Sequence, residues 1–278
     1  MSSYSTIETQ SVEAANGVTY AYRSLGSTTD LPPLVLLQHF RGNLDNWDPA
    51  LIDALAGERR VITFDNRGVG ATTGETPHTV GAMAEDAIEF LTALDLARVD
   101  LLGFSLGSFV AQEVTLRRPE LVNRLVLASA APQGASGMHG WASEVIQAVG
   151  AEVPSAEGYV GVFFTSGEVG KEVAGRVFGS RTEGHDAPTT WATRLAQYDA
   201  VNDWGIPNHA QLQRLEAITQ PVFVANGDSD PMILPRYSYL LAGLLPHAEL
   251  KIYPDSAHGF LFQHYDEFAT DVIEFLSK

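Results

Sequence analysis

Largely apolar runs recur along this chain at residues 34–37, 61–64, 99–104 and 125–127, and again at 222–226 and 250–253. Runs without polar alternation are what strands buried on both faces require. Between the first four, residues 47–55, 80–94 and 106–117 place apolar positions at helical spacing, as helices covering those strands must. Strand and helix alternating in this way predict a mostly parallel sheet with helices on both faces. Two earlier runs, 7–14 and 18–24, flank Asn16-Gly17, a favoured two-residue hairpin turn, and so predict an antiparallel edge. From about residue 134 to about 207 the rhythm breaks. No strand-like run of that quality occurs there, and Trp141, Tyr159, Phe163, Phe164, Trp191, Tyr198 and Trp204 lie among short helix-like stretches. The alternation then resumes with 212–217, 222–226, 237–245 and 250–253 and closes with a helix over 265–276.

One strand-to-helix junction carries candidate chemistry. Gly103-Phe104-Ser105-Leu106-Gly107 joins the run 99–104 to the helical stretch 106–117, which Pro119 ends. A turn this tight forces Ser105 toward a strained backbone conformation, and side chains at 103 and 107 would crowd the strand and helix where they nearly touch. The free N–H groups and positive end of the following helix then lie beside the serine, where they stabilise negative charge on a substrate oxygen. A serine hydroxyl is a weak nucleophile at neutral pH, so it needs a base and a group to orient that base. His258 stands in Asp255-Ser256-Ala257-His258-Gly259-Phe260, a loop between the run 250–253 and the last helix. His78, His139, His185, His209, His247 and His264 have no comparable setting. The run 222–226 is followed by Gly227-Asp228-Ser229-Asp230-Pro231, which offers two carboxylates where one is needed; the other is expected to cap the turn.

The order serine, acid, histidine around a glycine-flanked serine turn resembles the α/β-hydrolase family over nearly the whole chain. The resemblance implies an α/β fold: a mostly parallel eight-stranded sheet with helices on both faces, a body formed by residues 1–133 and 208–278, and a helical cap inserted at 134–207. It implies Ser105 as nucleophile, His258 as base and Asp230, rather than Asp228, as the orienting acid, because that acid usually falls three residues past the turn glycine. Leu34-Val35-Leu36-Leu37-Gln38-His39-Phe40-Arg41-Gly42 resembles the strand and His-Gly loop that supply one oxyanion-hole N–H. Phe40 replaces the glycine that normally follows the histidine, which leaves the donor as the backbone N–H of either Phe40 or Arg41; the other donor is that of Leu106. The segment Phe64-Asp65-Asn66-Arg67-Gly68-Val69-Gly70 matches the family's turn after the next strand, and its expected role is structural. The cap is expected to roof the serine, with Trp141, Phe163 and Trp204 from the cap and Arg41 and Trp47 from the opposite side lining the substrate chamber. An inward-pointing Arg41 would hold a carboxylate or polarise a carbonyl.

The reaction implied is cleavage of a carboxylic ester or lactone through an acyl-enzyme. Serine in the nucleophile position separates this chain from the haloalkane dehalogenases and epoxide hydrolases of the same fold, which use a carboxylate there. The resemblance extends to cofactor-free haloperoxidases, which form peracids with the same three residues, and less specifically to hydrolases that cleave carbon–carbon bonds. A ligand receptor or binding protein on this fold is the reading from another class.

Composition narrows the picture further. The chain has 278 residues, 45% of them hydrophobic, enough for a body and an insertion without disulfide support. Cysteine is absent, so thiol nucleophiles, disulfides and Cys-based metal sites are excluded. A net charge of −17 disfavours nucleic acid and anionic membranes. No basic segment followed by a long apolar one opens the sequence, no apolar run reaches membrane-spanning length, and a cytoplasmic location is expected. The histidines show no metal-ligand spacing and no dinucleotide fingerprint follows the first βα unit, so neither metal nor cofactor is expected. The expected partner is a small-molecule ester or lactone, and a homo-oligomer is left open.

Overall fold

The computed structural model describes residues 3–138, 140–153, 156–165, 168–179 and 186–278. His139 and His185 lie outside the described residues. The strands are β1 (Gln10–Glu13), β2 (Thr19–Leu25), β3 (Leu34–Leu37), β4 (Val61–Phe64), β5 (Val99–Phe104), β6 (Val122–Ala128), β7 (Val222–Gly227) and β8 (Ala248–Tyr253). They form one eight-stranded sheet in the order β1-β2-β4-β3-β5-β6-β7-β8. β1 pairs antiparallel with β2 and β2 with β4, and every other pairing is parallel.

The helices are α1 (Pro49–Leu55), α2 (Val80–Ala93), α3 (Leu106–Arg117), α4 (Ser143–Val149), α5 (Ala156–Phe163), α6 (Glu168–Gly179), α7 (Trp191–Trp204), α8 (His209–Gln213), α9 (Pro235–Leu244), α10 (Phe260–Gln263) and α11 (Tyr265–Leu276). All four residues of β3 are buried, and successive strand side chains face opposite ways, so both faces of the sheet centre are covered. On these covering layers α2 packs on α3 and α1 on α11.

Local chemistry sets the element ends. Gly17 takes φ of +77°, which permits the tight β1–β2 hairpin. Asp48 caps α1 by accepting from the N–H of Ala50, with Pro49 in the first turn, and Thr79 caps α2 through the N–H of Ala82. β1 begins later than the apolar run 7–14 because the segment before it folds across α1. There the Tyr4 N–H donates to Asp53 at 2.7 Å, and the buried Tyr4 hydroxyl donates to the carbonyl of Leu44 at 2.8 Å. The pattern also gave no hint of α10, which forms where Phe260, Leu261 and Phe262 are all buried behind His258.

Helices α4 to α8 lie between β6 and β7, and polar ties bind them to the rest. Arg176 of α6 donates to Asp48 at 2.7 Å and to the carbonyl of Phe262 at 2.7 Å. Thr193 of α7 donates to the carbonyl of Gly68 at 2.8 Å. Parallel pairing brings the ends of β5, β7 and β8 to one edge of the sheet, and the chemistry-bearing loops leave from there. Among the described residues no helix is long and apolar enough to cross a membrane.

Candidate active site

Ser105 follows β5 with φ 55° and ψ −120°, a conformation that a non-glycine residue holds only when its surroundings impose it. The glycines on either side make it possible. A Cβ on Gly103 would come within 2.4 Å of the Gly107 carbonyl oxygen, and one on Gly107 within 2.1 Å of that of Leu37. The helix therefore starts against the ends of β5 and β3, with the serine side chain standing at the corner.

His258 and Asp230 arrive from the next strands along the same edge. The Ser105 hydroxyl lies 2.9 Å from His258 Nε2, and His258 Nδ1 lies 2.8 Å from Asp230 Oδ2. The other carboxylate oxygen of Asp230 accepts from the backbone N–H groups of Met232 and Ile233 at 2.8 and 3.0 Å. With Oδ1 held by two amides, Oδ2 is fixed toward the imidazole and remains an acceptor. The ring nitrogen facing it carries the proton, and Nε2 is left to accept from the serine. Serine, histidine and aspartate are 2%, 0% and 1% exposed, so these interactions act without competition from bulk water.

Asp228 has a different task. Its carboxylate accepts from the N–H groups of Asp255 and Ser256 at 3.0 and 3.3 Å and from the Ser229 hydroxyl at 2.8 Å. It braces the loop that carries His258. Burial acts to raise its pKa, but those hydrogen bonds outweigh it and hold the carboxyl below its usual range.

The two candidate oxyanion peptides are distinguished by their partners. The Arg41 N–H donates to Gln197 Oε1 at 2.7 Å. Among the described residues the N–H groups of Phe40 and Leu106 have no acceptor. His39, 2% exposed, stands beside them with Nδ1 at 2.8 Å from the Phe40 carbonyl and Nε2 at 3.2 Å from the Tyr159 hydroxyl. A carbonyl can only accept, so Nδ1 is the protonated nitrogen and the tyrosine donates to Nε2. Burial lowers the His39 pKa to about 3, against the weaker raising effect of the Phe40 carbonyl, which keeps the ring neutral.

The expected substrate-lining residues divide. Phe163 stacks on Tyr159 at 4.0 Å between centroids and meets the rings of His258 and His39 edge-on at 5.2 and 5.1 Å. Trp141 meets Phe40 edge-on at 5.0 Å. Trp204, by contrast, stacks on Phe109 of α3 at 5.2 Å and donates its indole N–H to the carbonyl of Ala131 at 3.1 Å, so it fastens α7 to the body. Trp47, 1% exposed, packs between Phe104 and Phe262 as core. Arg41 is corrected as well. Its guanidinium donates to the carbonyls of Val149, Ala151 and Glu152 at 3.3, 2.6 and 3.2 Å, where it satisfies the open end of α4 instead of waiting for a substrate anion.

Sequence reading passed over Tyr159, Phe104 and Gln197 as site residues. Gln197 had a findable signal: it shares the buried face of α7 with Thr193, Ala200, Val201 and Trp204, where a lone carboxamide demands a partner. Phe104, which packs on His39 and His258 at 5.2 Å each, is hidden within the strand run. Among the described residues no group of three or more His, Asp or Glu side chains is placed to hold a metal.

The family model of the alpha/beta hydrolase fold matches residues 32–265. A solved alpha/beta hydrolase fold protein from Chitinophaga pinensis is 37% identical and superposes with a TM-score of 0.92, each chain covered over 100% of its length. The RutD protein of Rhizobium rhizogenes, provisionally named a carbamate hydrolase, is 30% identical over 252 residues, 89% of this chain and 93% of that one. The BpoC protein of Mycobacterium tuberculosis, provisionally named a non-heme bromoperoxidase, is 27% identical over 88% of this chain and 94% of its own. The chain belongs to the alpha/beta hydrolase fold family and is a hydrolase.

Proposed function

We propose that this hydrolase cleaves a carboxylic ester or lactone through an acyl-enzyme formed on Ser105, with the helices of 134–207 acting as its cap. The reading is carried by the buried line of hydrogen bonds from Ser105 through His258 to Asp230, beside two backbone N–H groups that have no acceptor among the described residues. Ser105 Oγ bonds to the carbonyl carbon while its proton passes to His258 Nε2. Asp230 holds the ring in this tautomer and stabilises the imidazolium. The carbonyl oxygen, now an anion, takes hydrogen bonds from the N–H groups of Phe40 and Leu106, since that of Arg41 is already engaged by Gln197. Collapse breaks the bond to the alkoxide, which leaves with the proton from His258. Water repeats the sequence: its proton goes to His258, its oxygen bonds to the acyl carbon, and Ser105 is released with the acid product. An alkoxide leaves more readily than an amide nitrogen, which favours oxygen esters.

A second reading, peracid formation, has the relationship to BpoC in its favour, because hydrogen peroxide in place of water would convert the same acyl-enzyme into a peracid. The test is turnover of a panel of p-nitrophenyl esters and lactones with and without peroxide, together with labelling by a fluorophosphonate. Ester cleavage with labelling at Ser105 supports the first reading, and bromination that requires both a carboxylic acid and peroxide supports the second. Tight binding of a ligand with neither turnover nor labelling would replace both with a receptor.

A further inference from the structure

Two hydrogen-bond donors on residues that contact Phe40 or Arg41 are buried and unpartnered among the described residues. Gln197 is 0% exposed, and its orientation is fixed because Oε1 must face the Arg41 N–H, which can only donate. That leaves Nε2 as a buried donor with no partner among the described residues. The Trp141 indole N–H is likewise buried and unpartnered, on a ring 9% exposed that lies 5.0 Å from Phe40 and 5.5 Å from Tyr198, the neighbour of Gln197 on α7. Thirteen buried side-chain atoms lack a partner among the described residues, and what sets these two donors apart is that both adjoin the residues Phe40 and Arg41.

The charge around them has one sign. The Arg41 guanidinium lies on the carbonyls ending α4, and that of Arg194 lies over the rings of Trp191 and Tyr198 at 4.9 and 4.5 Å. The two arginines are near enough that the charge of Arg194 adds to burial in lowering the Arg41 pKa. Neither has a carboxylate partner among the described residues, in a chain whose net charge is −17. Two partly buried cations with no counter-ion set a local field that opposes the distant negative surface, which solvent ions screen.

We propose that Trp141 Nε1 and Gln197 Nε2 form a subsite for a second oxygen acceptor of the substrate, and that this acceptor is a carboxylate. The substrate class is thereby narrowed to esters or lactones that carry a free acid group. The inference rests on the hydrolase reading for its place beside the oxyanion peptides, but its donors and cations are independent of the serine. Arg41 and Arg194 act through the field and leave the direct contacts to the two neutral donors.

The test compares kcat/KM for mono-p-nitrophenyl glutarate and 4-acetoxybenzoate, with the carboxylate on the acyl and leaving side respectively, against p-nitrophenyl butyrate and phenyl acetate. The intact chain should prefer the anionic member of at least one pair by about tenfold or more. Trp141→Phe removes the N–H and keeps an aromatic ring, and Gln197→Glu keeps the acceptor for Arg41 while replacing the donor; each should cut that preference about tenfold. A ratio near one in the intact chain, or a ratio unmoved by both substitutions in variants that melt as the parent does, overturns the subsite while leaving the hydrolase intact. If no ester is turned over, calorimetry with glutarate on Ser105→Ala decides. Binding weakened about tenfold by adding Trp141→Phe supports the subsite without the hydrolase, and no binding overturns it.

Discussion

The sheet body and the insertion between β6 and β7 are built by different means. In the body, the side chains of β3, β4 and β5 are entirely buried, and apolar contact on both faces holds the strand ends in place. In the insertion Val153, Val169, Trp191, Leu195 and Ile206 stay exposed, and attachment combines apolar packing, as of Trp204 on Phe109, with directed polar ties such as Arg176 to Asp48, Thr193 to Gly68 and Arg41 to the end of α4. The difference matters because Ser105, His258 and Asp230, with the hydrogen bonds that join them, belong to the body. The insertion contributes the ring of Phe163, the hydroxyl of Tyr159 and the carboxamide of Gln197. Apolar packing on both faces fixes the strand ends in the body, while the insertion adds polar ties to its apolar contacts.

The comparison can be broken most sharply within one loop of the body. Asp230→Asn is expected to lower kcat about ten-thousandfold, because an amide stabilises the wrong imidazole tautomer. Asp228→Asn leaves the ring's partner in place and should cost less than tenfold by steady-state kinetics, so equal losses would move the orienting role. Next come matched stability changes. Leu36→Ala opens a cavity in the sheet and should lower global stability in denaturant by about 3 kcal/mol. Arg176→Met leaves the buried Asp48 carboxylate without its cation and should cost a similar amount, roughly 3 kcal/mol, but with hydrogen exchange accelerated in α6 ahead of the strands. Uniform acceleration through the sheet would erase the proposed distinction.

Acid provides a finer probe. The folded state suppresses protonation of His39, lowering its pKa to about 3 from 6.5. Its contribution to stability is therefore complete above about pH 6.5 and is lost as the pH falls toward 3, at up to about 1.4 kcal/mol per pH unit. His39→Gln should flatten that part of the stability profile, measured as the difference from the parent chain at each pH. The smallest expected effect is that of Arg41→Ala, about 1 kcal/mol from lost bonds to the α4 carbonyls, seen as local exchange in α4 with little change in the strands.

The same division explains what was legible in the sequence. The strands β3, β4 and β5 and the helices α3 and α11 have the bounds that the pattern gives them, since their apolar positions are the ones buried against the core. Gly103 and Gly107 around Ser105 were readable for a steric reason that the backbone contacts repeat. Trp47, Trp204 and Arg41 were not placed correctly, because an aromatic or an arginine in a mixed stretch satisfies core packing, an interhelix bond or a substrate contact equally well. Only the long-range partners, Phe262, Ala131 and Ala151, separate those roles. The choice between Phe40 and Arg41 as a free N–H turned on Gln197, more than a hundred residues away in sequence.

The central claim is that the Ser105 hydroxyl, activated by His258, forms the acyl-enzyme. Its most direct measurement is intact-protein mass spectrometry after a fluorophosphonate is added to the parent chain and to Ser105→Ala, alongside ester turnover by the same two proteins. One adduct per parent chain, mapped to Ser105, with neither adduct nor turnover in the variant, is the expected result. Undiminished ester cleavage by Ser105→Ala would contradict it.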